Sequence, residues 1–193
     1  MSVAYTKYRM KIGRIFYPVK VLGYGKRVGI WTCGCNKNCY KCMSPELKDM
    51  SNAVEYSVDR IIEFISGISG KIDGITISGG EPFLQPDELA LLIAELNNMG
   101  IKDIIIYTGY SYEYLCSLGK KEHYILNNIS VLIDGEFVDE LNDGLGIRGS
   151  VNQNIYIFRY HNRYKDINQC ERQIQTVMTD SHTTFIGIPN NER

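Results

Sequence analysis

Apolar residues along this chain switch repeatedly between strand-like runs and helix-like stripes. The first run, residues 27–33 (RVGIWTC), reads as a strand that leads directly into a group of cysteines. Residues 57–67 read as a helix: Ser57 suits the N-cap, and Val58, Ile61, Ile62 and Ile65 fall on one face. A β-branched run ending in glycines, residues 74–80 (GITISGG), is a second strand. The helix that follows has Pro86 at its first position, Asp87 and Glu88 against the N-terminal dipole, a stripe of Leu89, Leu92, Ile93 and Leu96, and Gly100 as its stop. Residues 103–110 (DIIIYTGY) form a continuous apolar run, as expected of a strand covered on both faces. A short helix over 111–118, a fourth strand over 129–135 and a fifth over 151–158 complete the series. Beyond Phe158 the chain turns polar without a clear period, until an apolar stretch at 184–189 that reads as a docked strand or turn.

Strands alternating with helices imply a parallel sheet with right-handed crossovers. About five strands are too few for a closed eight-stranded barrel. The expected class is therefore α/β, a partial, open β/α barrel with a mostly parallel sheet, in a core of residues 1–158 with residues 159–193 as a tail docked on it. In such folds the site lies at the carboxyl ends of the strands. The cysteine group, Gly79-Gly80-Glu81-Pro82, Thr108-Gly109-Tyr110 and Asp134-Gly135 each follow a different strand, so they should converge on one rim.

Composition narrows the classes. A chain of 193 residues fits one domain. With 21 basic against 22 acidic residues, the charge gives no argument for nucleic acid or an anionic membrane surface. The first residues lack the apolar core of a signal peptide, and no stretch reaches the ~18 apolar residues of a membrane span, so a soluble cytoplasmic protein is expected. Four of the six cysteines lie within ten residues, at 33, 35, 39 and 42. In a chain without export signals such clustering points to metal or redox chemistry.

Cys35, Cys39 and Cys42 read C-x-x-x-C-x-x-C. Iron–sulfur clusters are usually held by four cysteines, so three would leave one iron open, and an open coordination position marks chemistry. A zinc site stays open as an alternative, with Cys33 as the fourth sulfur of a zinc-stabilised binding module. One residue between Cys33 and Cys35 is tighter than usual zinc spacing, and a cysteine ending a strand is more simply a small buried hydrophobe. Gly79 and Gly80 would let a ligand approach the backbone, with the Glu81 carboxylate nearby. A turn would explain that segment alone; downstream of the cysteines it gains specificity. Thr108 offers a hydrogen bond and Asp134 an acceptor for ribose hydroxyls, although turn chemistry also explains an Asp-Gly pair. Gly23-x-Gly25 precedes a strand and fails the dinucleotide fingerprint at Val28. His123, His161 and His182 show no ligand spacing and read as surface or structural residues.

The cysteine motif followed by Gly-Gly-Glu-Pro resembles the radical S-adenosylmethionine (SAM) superfamily, and within it the activating enzymes of anaerobic ribonucleotide reductase. The likeness extends to Gly23-x-Gly25-x-Arg27, to residues 107–110 (YTGY), to 131–137 (VLIDGEF) and to 148–153 (RGSVNQ), in order and spacing. It departs at Lys41, where many relatives carry an aromatic residue, and at Met43-Ser44-Pro45 after the last cysteine. The resemblance implies a 4Fe–4S cluster on Cys35, Cys39 and Cys42, with SAM on the open iron. It places the backbone at Lys41 and Met43, beside Cys42, on the adenine side. Gly79, Gly80 and Glu81 hold the methionine end, and Thr108 and Asp134 lie near the ribose. It further implies reductive cleavage of SAM to a 5′-deoxyadenosyl radical that creates a glycyl radical on the reductase large subunit. The electron donor would be small, such as flavodoxin or ferredoxin. A radical SAM enzyme acting on a peptide or small molecule is the alternative within the superfamily.

Overall fold

The computed structural model describes residues 7–178 and 183–190; His182 lies outside them. Among these residues, β1 (Arg9–Val19) and β2 (Arg27–Thr32) are followed by the cysteine loop, and β3 (Val54–Ser57) leads into α1 (Val58–Ser66). Next come β4 (Gly74–Gly79), α2 (Pro86–Asn98), β5 (Ile104–Tyr107), α3 (Tyr112–Ser117), α4 (Lys120–Asn127), β6 (Val131–Asp134) and β7 (Asn154–Ile157). The tail holds α5 (His161–Tyr164), β8 (Gln175–Met178) and β9 (Thr183–Ile186). One sheet runs β3-β1-β2-β4-β5-β6-β7, and β8 and β9 form a separate pair.

The centre of the sheet is parallel, with Thr32 opposite Gly79, Ile77 opposite Ile106 and Tyr107 opposite Ile133. The edges are antiparallel: β1 pairs with β2 and β3, and β7 with β6. The expected strands are present, with β7 reversed in direction. The added strands β1 and β3 bring this sheet to seven strands instead of about five. Helix α4 is also additional.

Alternation along the parallel strands divides the core. Val28, Ile30, Ile75, Ile77, Ile104, Ile106 and Leu132 face the buried stripes of α1 to α4. Ser57 caps α1 by accepting from the Arg60 amide, and Ser111 caps α3 by accepting from the Tyr114 amide. Burying each large aliphatic chain of the α2 stripe contributes roughly 1.5–3 kcal/mol. These helices share one side, as in a barrel segment and unlike a doubly wound sheet. On the other face Ile105, Val131 and Ile133 pack against Ile147 and against Tyr164 and Ile167 of the tail. The polar tail thus docks through a few apolar anchors. The stretch expected at 184–189 supplies Ile186 and Ile188 to a third cluster with Val19, Leu22, Trp31, Cys33 and Leu47. The sheet does not close on itself: β3 and β7 are its two edges.

Candidate active site

The cysteine loop leaves β2 at the carboxyl end of the parallel strands. Cys33 is fully buried; its amide donates to the Lys11 carbonyl at 2.9 Å, and it packs with Trp31 and Leu47. Burial pushes its thiol above the ordinary range. It is the small core hydrophobe that ends a strand. From Gly34 onward the loop is tied to the rim: the Gly34 amide donates to Leu47, the Cys35 amide to Lys48, and the Gly34 carbonyl accepts from the Glu81 amide at 2.7 Å.

Cys35, Cys39 and Cys42 line one cavity of about 130 Å³, and Cys33 does not. Among the described residues the thiols are not gathered into a single-ion site. The Lys37 amide approaches Cys35 Sγ at 3.4 Å, and Cys39 Sγ donates toward Glu136 Oε2 at 4.0 Å. The Lys37 amide beside Cys35 and the Phe137 amide beside Cys39 favour the thiolates, whereas burial raises both thiols. A partly desolvated set of three sulfurs with amide donors suits an iron–sulfur cluster bound as thiolates.

Four strand ends meet at this cavity, as the topology requires. Ser78, Gly79, Gly80 and Glu81 follow from β4; Tyr107, Thr108 and Gly109 from β5; Gly135, Glu136 and Phe137 from β6. Gly79 has φ of 110°, and a Cβ there would strike the Thr32 backbone. A Cβ on Gly80 would strike the Gly34 carbonyl. These glycines therefore let the β4 turn pass against β2 and the cysteine loop; the sequence suggested only room for a ligand.

Glu81 is fully buried at the centre of the rim. Its Oε1 accepts from Thr108 Oγ1 at 2.8 Å and from the Phe83 amide at 3.0 Å, and its Oε2 accepts from the Gly109 amide at 2.7 Å. Burial pushes the carboxyl above its ordinary value, and the donors and Lys37 offset part of that. The carboxylate lines the cavity but joins the β4 turn to the β5 turn, instead of standing free. Thr108 gives its hydroxyl hydrogen to Glu81 and accepts from the Tyr110 amide at 3.1 Å.

Two of the expected site residues lie apart from the cavity lining. Asp134 does not line the cavity. It is fully buried, its Oδ2 accepts from the Tyr112 amide at 2.6 Å, and its Oδ1 accepts from the backbone and side chain of Asn154. Both oxygens serve the fold, tying the start of α3 and the start of β7 to the end of β6. Lys41, whose backbone is expected on the adenine side, sits at positive φ (52°), and its ammonium reaches outward to Asp139 at 2.7 Å. Met43 does line the cavity.

Several lining residues carried no assigned role in the sequence reading. Lys37 lies 4.3 Å from the Tyr110 ring centroid and 3.3 Å from Glu136, clamping the cysteine loop to the β5 and β6 ends. Gln153 receives the Gly149 and Ser150 amides on Oε1 and donates to the Gly135 carbonyl at 2.7 Å, shaping the wall next to Phe137. For Phe137 and Gln153 the signal lies in residues 131–137 and 148–153, which carry a family likeness; for Lys37 it lies in its place between Cys35 and Cys39.

An open β/α sheet whose rim carries three loop thiols and a glycine-rich turn defines an iron–sulfur protein of the radical SAM kind. Residues 21–156 match the family described as "4Fe-4S single cluster domain". The chain belongs to the radical SAM family of anaerobic ribonucleoside-triphosphate reductase-activating proteins. It is 32% identical over 152 residues to the member from Vibrio cholerae, covering 74% of this chain and 96% of that one. For the Haemophilus influenzae member the identity is 33% over 153 residues, covering 75% and 96%. The pyruvate formate-lyase-activating enzyme of Clostridium pasteurianum is 28% identical over 139 residues, 68% of this chain and 56% of that one. A 4Fe–4S cluster and SAM are the cofactors of this chain. The four-sulfur zinc alternative loses its fourth ligand, because Cys33 lies in the core.

Proposed function

We propose that this chain activates an anaerobic ribonucleoside-triphosphate reductase by generating a glycyl radical on it. The carrying observation is that Cys35, Cys39 and Cys42 share one cavity with the glycine-rich strand ends while the fourth loop cysteine is buried elsewhere. Cys35, Cys39 and Cys42 would hold the cluster, which would supply the one-electron reduction of SAM needed for hydrogen abstraction from the partner's glycine.

The residues around the cavity bind and orient. Cys35, Cys39 and Cys42 are the three ligands, leaving one iron for SAM. The Gly80 and Glu81 amides are already given to the Thr32 and Gly34 carbonyls. With those amides committed, the carbonyl oxygens of the turn are the backbone groups that would accept from the ammonium of the methionine end. Glu81 acts as the tie that fixes that turn against Thr108 and Gly109. Met43 and Phe137 supply apolar walls that exclude water. No described helix is long and apolar enough to cross a membrane. The reducing demand of the reaction supports a cytoplasmic setting and a small donor such as flavodoxin or ferredoxin.

The test is anaerobic incubation of the reconstituted chain with reductant, SAM and the reductase. Electron paramagnetic resonance should show a glycyl radical on the reductase, and chromatography should show 5′-deoxyadenosine. Release of 5′-deoxyadenosine without any radical on the reductase would transfer the activity to another peptide or small molecule. Absence of both would reject the reading.

A further inference from the structure

The thiol cavity does not end at the rim. Met43, Ser44, Ser78, Tyr107 and Gln153 are shared with a neighbouring groove of about 390 Å³. One wall of this groove is the sheet, through Trp31 and Tyr107. The opposite wall is β9, which lies outside the segment matching the family.

All four residues of β9 line the groove, and no residue of β8 does. Successive side chains of a strand point to opposite faces, so consecutive lining means that the groove meets β9 along its edge. Among the described residues β9 pairs only with β8, through Thr183 opposite Met178 to Ile186 opposite Gln175. An unpaired strand edge is a template for another extended chain. The hairpin is firmly seated. Ile186 is buried, and Gln175 bonds to the Lys20 amide at 3.0 Å and to the Pro18 carbonyl at 2.8 Å. Phe185 is 68% exposed at the lip.

We propose that β9 is a docking edge for an extended, small-side-chain segment of the reductase, which adds to the hairpin as a third strand and runs through the groove to the thiol cavity. This rests on the proposed function and names the partner chemistry that the same site would take. Main-chain hydrogen bonds along β9 hold the segment. A groove of about 390 Å³ spread along the four residues of β9 favours glycine and other small residues, and Phe185 covers the strand as it enters.

Two measurements test this with the full chain, reconstituted anaerobically. The first is binding of a labelled synthetic peptide carrying the reductase's glycine segment, with single backbone N-methyl groups placed at successive positions. Strand addition predicts that methylation weakens binding at every second position and leaves the intervening ones near the unmethylated affinity. Uniform weakening, no effect at any position or no binding at all overturns the proposal. The second is Phe185→Glu, a change at an exposed position that leaves the core intact. It should raise the reductase concentration needed for half-maximal glycyl radical by about tenfold, the scale of an interface anchor. Iron content and 5′-deoxyadenosine release without reductase should stay unchanged. Wild-type behaviour of this variant overturns the proposal. If the wild-type chain binds the peptide in the alternating pattern but leaves no radical on the reductase, the functional reading fails while the docking edge stands.

Discussion

At the end where the parallel strands begin, Arg27 is fully buried and every nitrogen has a partner. Nε donates to Thr76 Oγ1 at 2.7 Å; the terminal nitrogens reach the Tyr24 and Ile75 carbonyls, the Tyr164 hydroxyl and Asp103 Oδ1. Tyr164 in turn bonds to Asp103, and Arg163 lies 3.4 Å from the second Asp103 oxygen. At the end where the strands finish, three thiols line a cavity, and their sulfurs have sparse, long contacts: the Lys37 amide to Cys35 at 3.4 Å and Cys39 to Glu136 at 4.0 Å. One end spends its polar groups on one another and anchors the tail. The other leaves sulfur atoms available and spends its carboxylates, Glu81 and Asp134, on positioning turns. Fold stability and chemistry are thus separated by the length of a strand.

The sharpest way to break this comparison is to remove a thiol. Cys39→Ala should abolish iron binding and SAM cleavage, with the urea midpoint of the metal-free protein unchanged within about 0.5 kcal/mol, as for a non-core substitution. Retained cleavage would place the ligands elsewhere.

At the opposite end, Arg27→Leu should cost about 3–5 kcal/mol of stability, because buried Asp103 loses its fully buried ion-pair partner, keeping only Arg163 and Tyr164, and the Ile75 carbonyl and Thr76 hydroxyl lose their donor. Iron bound per folded molecule should not change. Calorimetry and iron analysis of the same sample check both halves.

Gly80→Ala places a methyl group against the Gly34 carbonyl. It should cost about 1–3 kcal/mol and lower iron content and cleavage together, because the cysteine loop must move. Loss of SAM affinity at full iron content would show that the glycine serves only ligand approach.

Glu81→Gln tests the rim through pH. Burial raises the folded-state pKa of Glu81 above the unfolded one. Its contribution is therefore complete below the ordinary carboxylate value, about 4.3, and is lost as pH rises through the folded-state value. The wild type should lose stability relative to the variant as pH climbs through that window, by up to about 1.4 kcal/mol per pH unit. The opposite slope in urea midpoints would mean that the three donors outweigh burial. The smallest effect belongs to Cys33→Ala: about 1 kcal/mol for a small buried void, with normal iron content and cleavage.

Much of this arrangement was legible in the sequence wherever one signal dominated. The α2 stripe, the buried run of β5 and the convergence of motifs after β2, β4, β5 and β6 follow from periodicity and topology. Strand β1 was missed because its alternation, Met10 and Ile12 buried between polar neighbours, is interrupted by irregular pairing near Gly13 and Pro18. Strand β3 was missed because its first three residues are exposed and give no apolar run. The tail has almost no period, since its docking rests on isolated anchors such as Tyr164, Ile167 and Ile186. At the site, spacing identified the thiols and separated Cys33 from them. It did not show whether a carboxylate was free: Glu81 and Asp134 are neutral evidence in one dimension, and only their donors in three dimensions reveal that both act as ties.

The central claim is that three thiols, with Cys33 excluded, leave one iron open to SAM. Electron paramagnetic resonance of the reduced cluster, recorded before and after adding SAM, tests it most directly. The account predicts that SAM changes the signal of the wild type and does so equally in Cys33→Ala. A signal indifferent to SAM in the wild type would mean that a fourth side chain already completes the cluster, and would contradict it.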